Sequence, residues 1–488
     1  MATNATLSNR LPMAASLLLA LALWVYMALR AVKVGFTHDE SSSFMNLIQE
    51  PLRDVFFSAR NWQAANNHLL NTLCMQAGYH FFGAQEWALR WGSLVAGLIF
   101  PIYALRMVRL WLPTSSWYFF GAFCILVLQH FVLDFFSLAR GYGWCVAFEM
   151  AGLYYFFRWI QQERRSDLFK TACALSAGIL ANFTLLDVLA AVFITVTLAF
   201  YVKNDYQFPL RRWLQLLALP ALPVLVTGLV IFQPMRWISA QGEFEYGPQA
   251  FWETWRILVE RFTYTPVFGK WWQVLELIVA TMLFLGLGYA IFKRYKTVGM
   301  TSHPPLFYAS ILTVSTMLAT MAQHYLLGAN YLSGRTALLF YPLLSVVVVL
   351  YLIDSRQRIA RPPWRWGVAT GFVTINFCLQ INLLYSIEWR YDQNTQAALL
   401  FAHEHSAPQH KLNYGVGWLY YSTTLFYQQT RSLYNVQVVE YNTSHDDVAW
   451  VMAQPFDLIF LEPKLEPQLA NSYAVLQHYP QGIMMQRK

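Results

Sequence analysis

Hydrophobic residues in this chain come in long, nearly unbroken runs, not in the stripes that recur every three or four residues along a surface helix. The runs lie at about residues 11–30, 86–105, 117–136, 141–158, 171–184, 186–202, 213–232, 271–292, 306–325, 336–353 and 366–386. A helix needs roughly 20 apolar residues to cross the hydrocarbon core of a bilayer, so the pattern predicts a mainly α fold with about 11 transmembrane helices. The run at 171–184 is short for a crossing and predicts a helix that tilts or borrows residues from its neighbours. From Glu388 onward the pattern changes. "YNVQVVEY", "FDLIFLE" and "YAVLQHY" alternate apolar and polar positions over strand-length stretches, with Asn, Pro and Ser between them. They predict strands of a small α/β domain. On sequence, therefore, the chain divides into a transmembrane part at 1–386 and a C-terminal domain at 387–488.

The polar positions between the runs set the orientation. Arg106 and Arg109, Arg158 to Lys170, Lys203 to Arg212, Lys293 to Lys296 and Arg356 to Arg365 all fall in alternate loops. The positive-inside bias predicts that those loops and the N-terminus are cytoplasmic and that the C-terminal domain is outside. Residues 11–29 read as the first span, since no small-residue cleavage site follows them. Composition agrees: of 488 residues 57% are hydrophobic and 12% charged, where a soluble chain carries about 25% charge. The excess of 34 Lys and Arg over 26 Asp and Glu is an orientation signal and not a nucleic-acid footprint, because no basic patch is interleaved with a soluble pattern. The five cysteines are dispersed singly and form no CxxC unit or metal-ligand spacing.

On this topology four polar, aromatic-rich segments share the extracytoplasmic face. They are "FTHDESSSF" at 36–44 with "NNHLLN" at 66–71, "LDFFSLARGYG" at 133–143, "SAQGEFEYGPQAFWETW" at 239–255 and "HYLLGANYLSGR" at 324–335, and together they predict a composite site. Asp39 and Glu40 form an acidic pair at the membrane boundary. Either they cap a following helix, or a partly buried carboxylate takes a proton from an acceptor hydroxyl or amine. Neighbours on a helix face different ways, so one of the two points into a site while the other holds a loop. Arg140, with Gly141 and Gly143 permitting an abrupt turn, presents a fork that fits a phosphate or carboxylate; the alternatives are an ion pair with Asp134 or snorkelling to headgroups. Asn182 lies in "ANFTLLDV", where supporting a tight turn competes with hydrogen-bonding a substrate. His324, Tyr331 and Arg335 share a segment in which Gly328 and Gly334 predict a helix, a short loop and a re-entering helix. Their groups suit a departing phosphate, or else anchor the segment at the interface. Glu243, Glu245 and Tyr246 lie in a long, apolar loop at 233–270 that predicts a lid or a structural cover.

An acidic pair in the first outer loop, an "ARGYG" element after the third span and an H…Y…R element between two late spans resemble, as an ordered set, the GT-C superfamily of integral membrane glycosyltransferases. Within it they are similar to the protein mannosyltransferase and aminoarabinose transferase branch, over residues 10–386. The resemblance implies a polytopic transmembrane GT-C-like fold in the inner membrane of a cell envelope, with the active site on the extracytoplasmic face. It implies inverting transfer of a hexosyl or pentosyl group from a polyprenyl-phosphate-linked sugar to a lipid, glycan or protein acceptor. By resemblance Asp39 matches the catalytic acidic residue and Glu40 completes the pair. Arg140, His324, Tyr331 and Arg335 become candidate donor-phosphate contacts, with His68 in the region where relatives place polar donor contacts. Asp134, Asn182, Glu243, Glu245 and Tyr246 become candidates for positioning substrate. "NNHLL" lacks a lysine that some relatives use there. The branch resembles metal-independent catalysts, whereas oligosaccharyltransferases of the superfamily use a divalent cation; His38, Asp39, Glu40 and Glu243 are the residues that would supply ligands.

The physical requirements agree with that implication. A sugar on a phosphate already carries an activated anomeric carbon, so the protein needs a base, positive donors around the leaving phosphate and an apolar groove for the polyprenyl tail. The competing function is a transporter or flippase of a lipid-linked precursor, which interrupted spans and charges near the membrane edge also suit. Against it, no inverted repeat is visible and the polar residues gather at one face.

Overall fold

A computed structural model describes residues 10–62, 66–245, 247–264, 270–298, 304–358, 364–406, 411–441 and 448–488. Tyr246 and the side chain of Glu245 lie outside the described residues. Helix α1 spans Leu11–Lys33, and α2 (His38–Leu47) and α3 (Leu69–Phe82) follow it. Next come α4 (Trp91–Val108), α5 (Trp117–Val127), α6 (Gly141–Gln162), α7 (Arg165–Ala181), α8 (Leu186–Lys203) and α9 (Leu210–Ala240). After α10 (Phe251–Thr263), the apolar set ends with α11 (Lys270–Val298), α12 (Pro304–Leu327), α13 (Phe340–Arg358) and α14 (Trp364–Gln380).

Every run expected to cross a membrane carries one of these helices. Leu11–Lys33, Trp91–Val108, Phe183–Lys203, Leu210–Ala240 and Pro305–Leu327 are long and apolar enough to cross on their own. Their outward surfaces are apolar too: Leu18 on α1 is 67% exposed and Leu229 on α9 is 79% exposed. Lipid tolerates such surfaces where water does not, and the chain is a multi-pass membrane protein. Of the alternatives for the short run, the seventh helix takes the extension at its N-terminal end, starting at Arg165 ahead of the apolar run and reaching 17 residues. It packs on α6 through small residues: a Cβ at Gly152 would lie 2.9 Å from Leu175, and one at Gly178 would lie 3.2 Å from Phe148. The run at 117–136 is not one helix. It stops at Val127, Leu128 leaves helical geometry, and a short helix His130–Asp134 follows. Buried Gln129 sits at that break and donates its amide to Ser345 Oγ, which a straight apolar span has no need to do.

The chain divides into two compact units that cut across the sequence. An apolar unit gathers Met1–Met27, Phe56–Asn71 and Gly92–Ile381; a sheet unit gathers Ala28–Val55, Thr72–Trp91 and Asn382–Lys488. The C-terminal region is thus one part of a unit that also takes in the end of α1, all of α2 and most of α3.

Within the apolar unit, charged residues tie together the helix ends around 158–167 and 203. Arg158 on α6 donates to Asp167 on α7 at 3.0 Å, and Lys203 at the end of α8 donates to Glu163 and to Ile160 O, each at 2.9 Å. At the opposite ends, Gly141 opens α6 so close to the end of α7 that a Cβ there would lie 2.0 Å from Ala181 O. Asp187 at the start of α8 accepts from Gln323 near the end of α12 at 2.6 Å.

In the sheet unit, a 3-10 segment Ile387–Asn394 leads to α15 (Thr395–Glu404), β1 (Leu412–Gly417), α16 (Trp418–Thr430), β2 (Val436–Tyr441), β3 (Leu458–Leu461), β4 (Tyr473–Tyr479) and β5 (Gly482–Arg487). The strand order is β2-β1-β3-β5-β4, with β2, β1 and β3 parallel and the β3–β5 and β5–β4 pairs antiparallel. The three strands expected from alternation are β2, β3 and β4. β1 and β5 were not expected; each buries four successive residues, as β3 also does.

Candidate active site

In the sheet unit, the first turn of α2 is tied down from three directions. Thr37 is its N-cap, and Thr37 N–H donates to Glu40 Oε2 at 3.0 Å as part of a capping box. Glu40 is fully buried and accepts from Arg90 through both oxygens, Nε to Oε1 and Nη2 to Oε2, each at 2.7 Å. Arg90 also donates to the carbonyls of Ala31 at 3.0 Å, Val34 at 2.7 Å and Gly35 at 2.9 Å, where α1 ends. The third tie comes from far along the chain: His38 N–H donates to Asp392 Oδ2 at 2.6 Å.

The acidic pair therefore splits. Glu40, a candidate for the chemistry on sequence, is neutralised where it stands by a buried guanidinium and anchors the loop. Asp39 is half-buried at the second helical position, where the first-turn amides favour a negative charge. His38 Nδ1–H donates to Leu419 O at 2.9 Å, and its ring meets Trp418 edge-on with centroids 5.6 Å apart. Burial pushes the Asp392 carboxyl well above the usual carboxylate range, against the hydrogen bonds from His38, Thr395 and Thr423, and the Asp39 charge adds to the rise. A groove of about 1010 Å³ opens at the other end of α2, lined by Ile48, Glu50, Gln76, Tyr79 and His80 among others. At 1.5 Å per residue it begins roughly 13 Å along the helix from Asp39, beyond that carboxylate's immediate surroundings.

In the apolar unit, Arg140 and His68, two of the sequence's candidates for contacting donor, come together. Arg140 is 1% exposed, and its Nη2 donates to His68 Nε2 at 3.0 Å. A guanidinium has only donors, so His68 Nε2 carries no proton and the histidine is neutral. Tyr142 completes the cluster, its ring 5.0 Å from His68 and 5.9 Å from the guanidinium carbon. Gly141 makes the arrangement possible, since a Cβ there would also lie 2.7 Å from His68 Cβ. Asn71 holds the turn by donating to Ala139 O at 2.8 Å.

The other candidates fall into local frameworks. Asp134 accepts from Tyr264 at 2.6 Å and lies 3.4 Å from His130, which in turn bonds Tyr26 at 2.7 Å. Asn182 Oδ1 accepts from Thr184 N–H at 3.0 Å and from the Thr184 hydroxyl at 2.8 Å, the turn-supporting role. His324 stacks on Tyr331 at 4.4 Å and donates through Nδ1 to Ala329 O at 2.8 Å. Beyond α12 the backbone turns at Gly328 (φ +68°), and Arg335 lies half-buried in a short 3-10 turn, Gly334–Ala337, capped by Ser333. The 3-10 turn Glu243–Glu245 is stitched to this segment by the backbone, with Asn330 N–H donating to Phe244 O at 2.7 Å and Tyr331 N–H to Pro248 O at 2.9 Å. Among the described residues, no group of three or more His, Cys, Asp and Glu side chains is gathered to hold a metal ion.

Three contributors went unnoticed in the sequence. Arg90 had a signal, a charge inside the apolar run at 86–105. Asn71 closes the segment 66–71 that was expected at the site but was not singled out there, and Asp392 had no signal, being a polar residue in a polar stretch.

No protein-family model and no curated protein sequence matches the chain. Two crystal structures of ArnT from Cupriavidus metallidurans, one bound to undecaprenyl phosphate and one in the apo state, align with 96% of this chain and 97% of that chain. Sequence identity is 14% in both, and the TM-scores are 0.51 and 0.52 respectively. The archaeal oligosaccharyltransferase AglB from Archaeoglobus fulgidus aligns with 93% of this chain and 72% of that chain at 12% identity and a TM-score of 0.41, too low to argue from. At such identities the likeness is one of fold, and it is the fold that the ordered motifs led us to expect.

Proposed function

We propose that this chain, which has a GT-C-like fold, is a glycosyltransferase that moves a sugar, with inversion, from a polyprenyl-phosphate donor to an acceptor lipid, glycan or protein. The observation that carries the reading is Arg140, a guanidinium 1% exposed and oriented by a neutral histidine within a multi-pass membrane chain. An arginine is costly at such a place, and its fork matches a phosphate. The fold supports the reading, since ArnT was crystallised with undecaprenyl phosphate.

In this reading Asp39 takes a proton from the acceptor as the acceptor oxygen or nitrogen bonds to the anomeric carbon. The bond from that carbon to the phosphate oxygen breaks, its electron pair leaves with the phosphate, and Arg140 stabilises the charge that develops there. His68 aims the Arg140 fork. Arg335, His324 and Tyr331 supply further donors, while Asp134, Asn182 and the 243–245 turn shape the surrounding framework. The sidedness follows the basic loops: positions near 160 and 357 face the cytoplasm of an inner membrane, and Asp39, Arg140, Tyr331 and the region after 387 lie outside. Labelling of single cysteines near 160 from the outside would overturn that orientation.

The test is covalent transfer. Purified protein in lipid nanodiscs receives polyprenyl-phosphate sugars and candidate acceptors, and products are weighed by mass spectrometry. Asp39→Asn should still bind donor but lower the single-turnover rate by about 10²-fold or more. Movement of the lipid-linked sugar between leaflets with no covalent product would replace this reading with a flippase.

A further inference from the structure

Helix α2 has ten residues, too few to hold its own shape in water, so its first turn is only as well placed as its partners make it. The capping box serves the Thr37 amide through Glu40. The amide of His38, next to Asp39, is an orphan of the helix start and goes instead to Asp392. Asp392 is itself fixed: it is 4% exposed and accepts from Thr395 Oγ1, at the start of α15, at 3.1 Å. Helix α16 packs along the same turn, with His38 Nδ1–H on Leu419 O at 2.9 Å and Ser41 Oγ 3.4 Å from Thr423 Oγ1.

We propose that Asp392 is a positioning residue for the transfer reaction: by accepting the His38 N–H it fixes the first turn of α2 and, with it, the place of the Asp39 carboxylate. The inference rests on Asp39 acting as the base. The groups facing Asp392 are Asp39 and His38 on α2, Tyr420 on α16 and the hydroxyls of Thr395 and Thr423. Burial and the Asp39 charge both favour a neutral Asp392. A neutral carboxyl still accepts the His38 N–H through its carbonyl oxygen, and it leaves Asp39 as the single negative charge of the two. The sign follows. A carboxyl whose folded pKa is raised contributes its stabilisation in full below the unfolded value of about 3.9, and loses it as pH rises through the folded value. On the alkaline side a second charge then appears beside Asp39 and loosens the turn.

Two variants of the full chain test this. Asp392→Ala should lower kcat by about 10- to 100-fold with donor KM unchanged, the size expected when a reacting group shifts by about an ångström. It should also speed hydrogen exchange of the amides at 38–41. Asp392→Asn keeps the acceptor, so it should restore both, and it should lack the alkaline fall in rate expected of the wild type as Asp392 ionises. Wild-type kcat and exchange in Asp392→Ala, or an Asn variant no better than Ala, would overturn the proposal. If Asp392→Ala fails to fold, the alkaline limb of Asp392→Asn decides: a limb identical to the wild type overturns it. Exchange results as expected in a protein that transfers no sugar would leave the cap standing and sink the glycosyltransferase reading instead.

Discussion

Arg90 and Arg140 are two arginines buried to about the same degree, 0% and 1% exposed, one in each unit. Arg90 meets a carboxylate through two parallel hydrogen bonds and three backbone carbonyls through others, so its charge and donors are answered by its own surroundings. Arg140 donates to the unprotonated nitrogen of His68 and lies over the Tyr142 ring. Burial alone therefore does not reveal what an arginine is for. Arg90 is held by the carboxylate and carbonyls of its own unit, whereas for Arg140 the proposed role is contact with the donor phosphate.

The largest expected effect breaks the first half of that comparison. Arg90→Met leaves Glu40 buried and unpaired, and should cost about 3–5 kcal/mol of stability, seen as a sharply lower unfolding midpoint in detergent. Adding Glu40→Gln should recover part of the loss. A single variant as stable as the wild type would remove the architectural role. Arg140→Met sharpens the other half: donor affinity should fall by roughly 10- to 100-fold, the worth of a charge-assisted contact of about 1.5–3 kcal/mol, while the unfolding midpoint moves far less than in Arg90→Met. Equal losses of stability in the two variants would collapse the distinction. Asn71→Ala is the mildest. It should weaken the Arg140 turn by about 1 kcal/mol, measurable as a small drop in donor affinity at unchanged kcat. A change in kcat without one in affinity would speak against its acting through Arg140.

What could be read from the sequence depended on whether the cause was local. The spans were legible because crossing a bilayer demands a run of apolar residues wherever the helix goes. β2, β3 and β4 were legible as short apolar runs between Asn, Pro and Ser residues, whereas β1 and β5 were not expected, although the continuous burial of β1 and β5 is shared by β3. Gly328 and Gly334 mark real breaks, with φ of +68° and +51°. Among the candidates, the Asn182 turn and the divergence of two neighbouring carboxylates follow from helix and turn geometry. The partners do not: Glu40 and Arg90 are 50 positions apart, and His38 and Asp392 are 354 apart. No periodicity links residues at such separations, so only the folded chain shows which groups hold Glu40 and the His38 amide.

The cap that Asp392 places on α2 also puts a clock on the molecule. Ribosomes add about 5–20 residues per second, so the 354 positions between His38 and Asp392 take roughly 20 to 70 s to emerge. Through that interval the pairing of Glu40 with Arg90, complete once the second span has been made, can hold α2 in outline while the turn beside Asp39 waits. A nascent or truncated chain thus carries every residue of its first acidic loop without the hydrogen bond that ties its first turn to Asp392.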